Sequence, residues 1–205
     1  MEIIQKLVSR KGPGYLFYPA HFFLALKTIE EKGPIGRYEL GRILDLGGGS
    51  IRTIVNRMKI ANLIIVEGKK GHILSDEGKK ALIDIKKTLV MLQNLENAEE
   101  LTNKKFNIGC QARNISTQIG SGIDLRDAAI TVGVKSIISL IYTGKGFNIP
   151  TLKEEYLEKE HPKLSNYLLS KFKFQKNDVL VICGADTLIK AKLGAITAIF
   201  SLLNS

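Results

Sequence analysis

The sequence predicts a mixed α+β fold in two domains, a helical N-terminal domain ending in a β-hairpin and a C-terminal domain in which strands and helices alternate. Three observations support this class. The length of 205 residues suits one domain or two small ones. Apolar residues make up 44% of the chain and charged residues 24%, which is an ordinary globular composition. Apolar residues recur at helical spacing in the first 60 residues, whereas short β-branched runs follow later.

The charge and cysteine content restrict the partners and the compartment. The net charge is +10, and residues 1–90 hold 16 basic against 9 acidic side chains, so a polyanionic partner is expected for the N-terminal half. Cys110 and Cys183 lie far apart without metal-ligand spacing, which favours a reducing, cytoplasmic setting. No apolar run approaches the roughly 20 residues of a membrane span, and the first residues do not resemble a secretory signal.

Three helices are predicted in the N-terminal half, after an irregular lead-in. The first begins at Pro19, which suits an initial helical position, and ends at Gly33. The second covers about 36–44. The three glycines at 47–49 predict a tight turn, and Ser50 is the expected N-cap of a third helix over 50–61.

The third predicted helix has a polar face without carboxylates. At 100° per residue its apolar residues fall on one side, and no acidic residue occurs from 50 to 61. The opposite face offers hydrogen-bond donors for phosphates and base edges. Either this is a solvated basic helix or it enters a major groove. The residues of this face are Arg52, Thr53, Asn56 and Arg57, with Lys59 at its margin.

A basic hairpin follows the third helix. Two strands, at 63–66 and 72–74, flank a turn that exposes Lys69 and Lys70, and His72 opens the second strand. Ser75 then caps a long helix. Three helices and a basic hairpin form the order of a winged helix-turn-helix, in which the third helix enters the major groove and the hairpin contacts the backbone.

Two segments carry a resemblance to winged-helix transcription regulators. The run S-I-R-T-I-V-N-R-M at 50–58 resembles their recognition helix, and L-S-D-E-G at 74–78 resembles the segment that closes the wing. Asn62 stands where these families often have glycine. The resemblance covers about residues 19–90 and implies double-stranded DNA as the partner, although winged helices also bind RNA and dock proteins. The implied DNA-binding residues are Ser50, Arg52, Thr53, Asn56, Arg57, Lys59, Lys69, Lys70 and His72.

The linker between the two domains is predicted to be a continuation of the helix from Ser75 to about Leu95. Its apolar residues Leu82, Ile85, Leu89 and Leu92 follow the 3-4-3 spacing of a coiled-coil seam. The seam predicts a homodimer that reads a palindromic site; alternatively, this face packs on the chain's own domains. The polar run at 94–100 marks the boundary, so the predicted domains are 1–95 and 100–205.

The C-terminal half predicts the order β-α-β-β-α-β followed by a helix, so a ferredoxin-like split βαβ domain with an extra helix is expected. Its predicted role is effector binding or dimerisation. Two helix starts after glycines are candidate small-molecule sites, or else plain structural turns. The segment G-I-D-L-R-D-A-A-I at 122–130 resembles the C-terminal domain of a family of archaeal winged-helix proteins of unassigned function. The candidate effector-binding residues are Gly122, Arg126, Asp127, Gly184 and Asp186.

Catalytic patterns are weak in this sequence. Cys183 ends an apolar strand, where a buried thiol is usually inert, and the histidines lack ligand spacing. We therefore expect neither an enzyme nor a cofactor or metal. The sequence predicts a DNA-binding transcription regulator. The alternatives are an RNA-associated or protein-docking winged-helix protein and, with less support, a small-molecule enzyme that uses the C-terminal domain.

Overall fold

The computed structural model describes Leu7 and residues 17–96, 98–152 and 156–203. The chain divides into two compact units, Met1–Ile85 and Lys86–Ser205. The first unit contains helices and a β-hairpin, and the second contains an antiparallel sheet with helices. The predicted α+β class is confirmed. The lead-in predicted before Pro19 lies largely outside the described residues.

The N-terminal unit has the predicted order of three helices and a hairpin. β1 and β2 pair antiparallel, and a single bridge joins Ile35 to His72 beside them. The apolar faces predicted for the first and third helices are buried. The elements are α1 (Pro19–Lys32), α2 (Arg37–Ile43), α3 (Gly48–Ile60), β1 (Ile64–Glu67), β2 (Gly71–Leu74) and α4 (Asp76–Thr88).

Close backbone approaches fix the hairpin within this unit. A Cβ at Gly78 would overlap the carbonyl oxygen of Leu63, so the first turn of α4 packs directly on the residue that precedes β1. Ser75 caps α4, as predicted, because its hydroxyl accepts a hydrogen bond from the Gly78 N–H at 2.9 Å. Asn62, which stands where winged-helix families often have glycine, adopts a left-handed conformation with φ 55°.

The predicted linker helix is wrong in its second half. α4 ends at Thr88, and Leu89–Asn94 form strand β3, which pairs antiparallel with β4 (Phe106–Ala112). Leu82 and Ile85 therefore lie on a helix while Leu92 lies on a strand, so the coiled-coil seam is not continuous. The apolar spacing of residues 89–94 is also compatible with a helix. In the structure their backbone N–H and C=O groups form hydrogen bonds with β4 instead, so these residues belong to the sheet. The division between units consequently falls after Ile85, ten residues earlier than predicted.

The C-terminal unit is built on one five-stranded sheet. Its order is β3-β4-β7-β5-β6, and all neighbouring strands are antiparallel. A 3₁₀ turn at Ser116–Gln118 follows β4. The remaining elements are α5 (Glu99–Thr102), α6 (Ile123–Thr131), β5 (Ser136–Tyr142), β6 (Phe147–Asn148), α7 (Tyr156–Glu160), α8 (Pro162–Lys171), β7 (Val179–Ala185) and α9 (Leu188–Leu202).

The strand order corrects the ferredoxin-like prediction. The sequence of elements from β4 to β7 is β-α-β-β-α-β, as predicted, but a ferredoxin-like sheet has its first and third strands in the centre. Here the third strand, β6, has two residues and lies at the edge, whereas β7 is buried along its whole length and lies in the centre. A continuous apolar strand with covered faces takes the central position because it gains the most burial there.

Helices cover both faces of this sheet. Leu180 and Ile182 of β7 pack in a cluster with Leu164 and Leu168 of α8. The alternate residue Cys183 faces α9, where a Cβ at Gly194 would lie 3.5 Å from its sulfur. This alternation is the period of two that a strand imposes.

A buried carboxylate joins β4 to the turn before β7. Asp178 is fully buried and accepts hydrogen bonds from Nη1 of Arg113 at 2.7 Å and Nε2 of Gln111 at 2.8 Å. The backbone N–H groups of Asn114 and Gln175 complete its shell. The charge is therefore paired and hydrogen-bonded, as burial requires.

Within the described ranges, no helix has the length and apolar content needed to cross a bilayer.

Candidate nucleic-acid interface

Helix α3 begins earlier than its sequence suggested. Gly47 is the N-cap, with extended backbone at φ −64° and ψ 159°, and Gly48 is the first helical residue. Ser50 therefore lies inside the first turn, which corrects its predicted capping role. The Thr53 hydroxyl is directed back along the helix, where it donates to the Gly49 carbonyl oxygen at 3.0 Å.

Most of the polar side chains predicted for the recognition face are accessible. Arg52, Asn56 and Lys59 are exposed, and Thr53 is half-buried. The opposite side of α3 is fixed in the core by Ile51, Ile54, Val55 and Met58. The burial of one stripe leaves the donors of the other stripe facing solvent, as the helical period requires.

Arg57 departs from this pattern. Only 9% of the residue is exposed, and its Nη1 donates a hydrogen bond of 2.6 Å to the carbonyl oxygen of Leu7. The guanidinium also lies 5.5 Å from the ring centroid of Phe17. Residues before α1 therefore cover this side chain, and its predicted contact with DNA is corrected to a packing role. The helical projection could not reveal this cover, because it comes from residues 40 to 50 positions away.

A cleft of about 280 Å³ opens beside the exposed face of α3. Arg37 and Tyr38 of α2, together with Arg52, Asn56 and Lys59 of α3, form its sides, and the buried Val55 and His72 also line it. Among the described residues lining the cleft, three are permanent cations and none carries a carboxylate. Like charges at short range produce a positive potential that favours anions.

His72 contributes to the cleft as a neutral ring. It is 8% exposed, and its Nδ1 lies 3.2 Å from the Ile35 carbonyl oxygen. Burial lowers the pKa of His72 below its usual value of 6.5, and the charges of Lys59 and Arg37 lower the pKa further. The imidazole is therefore uncharged at neutral pH. The predicted phosphate contact is corrected to a wall of the cleft.

The hairpin presents its lysines as predicted. Lys69 and Lys70 are exposed in the turn between β1 and β2. The turn closes with a hydrogen bond of 3.0 Å from the Lys70 N–H to the Glu67 carbonyl oxygen, and Gly68 supplies a positive φ of 52°. Both ammonium groups stand at the tip, where solvent surrounds them.

Sequence reasoning missed Arg37 and Tyr38. The Arg37 guanidinium lies 4.8 Å from the centroid of the Tyr38 ring, which is within range of a cation–π contact. Tyr38 is 77% exposed, the largest exposure among the large hydrophobic residues of the described chain. The two residues begin a short helix whose spacing shows no motif. Only the packing of α2 on α3 brings them to the cleft.

Two of the candidate effector residues lie in one cavity of the C-terminal unit. Gly122 and Arg126 line a space of about 200 Å³ together with Ser121 and Ser139. Gly122 is the N-cap of α6 and has φ 81°, a conformation that favours glycine. Asp127 is exposed and is not among the lining residues.

The other two candidates belong to a different place. The carboxylate of Asp186 forms ion pairs with two lysines, at 2.7 Å from Nζ of Lys135 and at 3.6 Å from Nζ of Lys104. The hydrogen bond from Lys135 is the main cause that lowers the pKa of Asp186. Gly184 is buried in β7, where a Cβ would crowd Thr102, so this glycine serves packing. The five candidates therefore do not form one site.

Neither cysteine is disposed as a nucleophile. Cys110 and Cys183 are fully buried on adjacent strands. Burial raises the pKa of both thiols well above the usual value, so the reactive thiolate is disfavoured.

The chain matches two family models, one in each half. Residues 103–202 match a domain of unknown function, DUF4443. Residues 23–80 match the model described as the PH0730-like N-terminal domain. The DUF4443 segment starts just before β4, and the PH0730-like segment ends within α4, so neither model includes β3.

A solved structure shares the fold over most of the chain. It is the hypothetical protein PH0730 from Pyrococcus horikoshii OT3, with a TM-score of 0.70 and 23% identity over 92% of this chain and 94% of that chain. No curated protein matches the sequence. The predicted resemblance to archaeal proteins of unassigned function thus finds support, and the likeness itself concerns the fold alone.

Proposed function

We propose that this protein is a DNA-binding transcription regulator whose N-terminal unit binds duplex DNA. In this proposal α3 enters the major groove and the β1–β2 hairpin lies along the backbone. The observation that carries the proposal is the cleft beside α3, where Arg37, Arg52 and Lys59 converge and no carboxylate lines the described wall. A surface of this composition attracts a polyanion and does not suit a basic or purely apolar partner.

The side chains divide into two kinds of contact. Arg52 and Asn56 are exposed on α3 and present the donor groups that read guanine and adenine edges. Lys69 and Lys70 at the hairpin tip are suited to phosphates, because an ammonium group acts as a point charge without base preference. Sequence preference should therefore depend on α3, and the salt dependence should depend largely on the hairpin.

The test is selection from a randomised duplex pool at two salt concentrations, followed by affinity measurements on the selected sequence. Arg52→Ala or Asn56→Ala should relax base preference, at about 1–3 kcal/mol for each good base contact. Lys69→Ala with Lys70→Ala should weaken all sequences alike and reduce the salt slope by roughly one unit per phosphate contact. Lys80→Ala, an exposed lysine of α4 outside the cleft, is the matched control and should change neither property.

Two results would reject this assignment. If all the cleft and hairpin variants lose the same affinity on every DNA sequence, Arg52 and Asn56 do not contact bases specifically and the assignment of separate base and phosphate contacts is wrong. A stronger preference for structured RNA over duplex DNA in competition would favour the RNA-associated alternative. No binding to either nucleic acid would favour a protein-docking role.

For the C-terminal unit we propose effector binding at the cavity of Gly122 and Arg126. One guanidinium, two serine hydroxyls and the apolar side chains of Ile137 and Ile149 favour a small carboxylate with an apolar body. Isobutyrate and benzoate are suitable probes in a thermal-shift assay, and Arg126→Ala should abolish any stabilisation that they cause. Stabilisation that persists in Arg126→Ala would place the ligand elsewhere.

We also propose a homodimer and a non-enzymatic role. A palindromic selected site and sedimentation at twice the monomer mass would support the dimer, whose interface is then sought outside the interrupted α4 seam. The burial of Cys110 and Cys183 favours a binding protein over a cysteine enzyme.

A further inference from the structure

The exposed Tyr38 lies at a point where nucleic acid is expected and yet performs no packing role. The residue is 77% exposed, whereas the aromatic residues Phe22 and Phe23 of the same unit are buried. Arg37 covers one face of the ring at 4.8 Å and thereby helps to hold its orientation. Arg37 and Tyr38 both line the cleft beside α3.

The surrounding groups specify the kind of ligand. Arg37, Arg52 and Lys59 provide positive charge for a phosphate, while Tyr38 provides a planar surface for stacking. The cleft, at about 280 Å³, is close to the lower end of the roughly 300–1,000 Å³ of common small-molecule pockets, so its ligand is expected to be no larger than one planar ring with its phosphate. Aromatic stacking beside a cationic groove is the usual way in which proteins bind unpaired nucleotides.

We propose that the Tyr38 cleft holds one unpaired nucleotide, with its base stacked on Tyr38 and its phosphate beside Arg37 and Arg52. This inference rests on the proposed nucleic-acid binding of the same unit and adds a second structural preference to it. A base within an intact duplex is stacked on its neighbours, so it cannot use the ring unless it leaves the stack. The protein should therefore favour duplexes that contain a bulged or otherwise unpaired base.

The test compares three fluorescein-labelled DNAs by anisotropy with the full chain at one salt concentration. The first is fully paired, the second contains one unpaired adenine, and the third contains an abasic residue at the same unpaired position. The abasic DNA retains the phosphate and the distortion but lacks the base. We expect the unpaired adenine to bind about 5- to 150-fold more tightly than the abasic residue, the range that stacking of one base supplies.

Variants separate the ring from its hydroxyl and its charged neighbours. Tyr38→Ala should abolish the difference between adenine and abasic DNA. Because the side chain is exposed, folding should be unaffected. Tyr38→Phe keeps the ring and should preserve the difference. Arg52→Ala should weaken all three DNAs.

Contrary outcomes are distinguishable. Equal binding of adenine and abasic DNA by the unaltered protein overturns the inference, as does a Tyr38→Phe variant that behaves like Tyr38→Ala. A uniform loss on all three DNAs in Tyr38→Ala would assign the residue to general backbone contact. Failure to bind any of the three refutes the proposed function itself, whereas good binding to the paired duplex without an adenine preference refutes the inference alone.

Discussion

Replacing Arg57 tests whether this residue belongs to the core or to the DNA-binding face. The sequence pattern placed Arg57 beside Arg52 on the polar face of α3. The structure instead shows a guanidinium that donates to the Leu7 carbonyl oxygen at 2.6 Å and lies over Phe17, with 9% of the residue exposed. Arg57→Ala should consequently lower the free energy of unfolding.

The expected loss follows from the two contacts. A hydrogen bond from a charged donor contributes about 1.5–3 kcal/mol, and a partly desolvated cation–π contact contributes about 0.5–2 kcal/mol. Contributions of this kind add imperfectly, so we expect a loss of about 2–4 kcal/mol. With a urea m-value near 2 kcal/mol/M, the unfolding midpoint should fall by about 1–2 M.

The assay is urea unfolding followed by circular dichroism, with Arg52→Ala as the matched control. Arg52 is exposed on the same helix, so its loss should change stability by no more than about 0.5 kcal/mol while weakening DNA binding. The reasoning is refuted if Arg57→Ala unfolds at the same urea concentration as the unaltered protein and relaxes base preference as Arg52→Ala does.

Three further predictions concern stability. Gly48→Ala should stabilise the protein by about 0.4–1 kcal/mol in urea unfolding, since a Cβ there meets open space in a helix. Gly78→Ala should destabilise the protein by about 1–3 kcal/mol, because a Cβ there overlaps Leu63. If both variants change the free energy of unfolding in the same direction, the packing described for these two glycines is wrong. Burial lowers the pKa of His21 to about 4, so the unfolded chain binds the proton at a higher pH than the folded chain does. The free energy of unfolding should therefore fall by about 3 kcal/mol between pH 6.5 and pH 4. His21→Gln should reduce this pH dependence, and an unchanged pH dependence in the variant would contradict the assignment to His21. Asp178→Asn should cost about 3–5 kcal/mol in the same unfolding assay, because the buried carboxylate that accepts from Arg113 and Gln111 is replaced by an amide whose NH2 group cannot accept. A loss below about 1 kcal/mol would show that the network contributes little.

Local patterns were sufficient for most of the N-terminal unit. The apolar spacing of α1 and α3, the glycine and proline at the end of α1, and Ser75 as the cap of α4 all act between residues a few positions apart. Such features depend on helical geometry and capping, which the sequence expresses directly. The two lysines of the hairpin tip were predictable for the same reason.

Apart from the N-cap of α3, which is Gly47 and not Ser50, the errors involve distant partners. The residues of β3 have an apolar pattern that a helix also satisfies, and only their pairing with β4 selects a strand. The central position of β7 likewise depends on competition among strands for burial. The candidate effector residues do not form one site. Their positions near glycines at helix starts do not predict which face of the sheet each side chain lies on.

Local sequence patterns were enough to predict the class of the fold, the order of helices and hairpin in the N-terminal unit, and the excess of positive charge in the first half of the chain. The tertiary structure alone decided which cations remain exposed: Leu7 and Phe17 cover Arg57, whereas α2 brings Arg37 and Tyr38 beside Arg52. The physical reason is that burial and convergence depend on contacts between residues far apart in the chain. The helical period predicts the direction in which a side chain points from its own helix. The packing of other elements decides whether solvent or other residues surround that side chain.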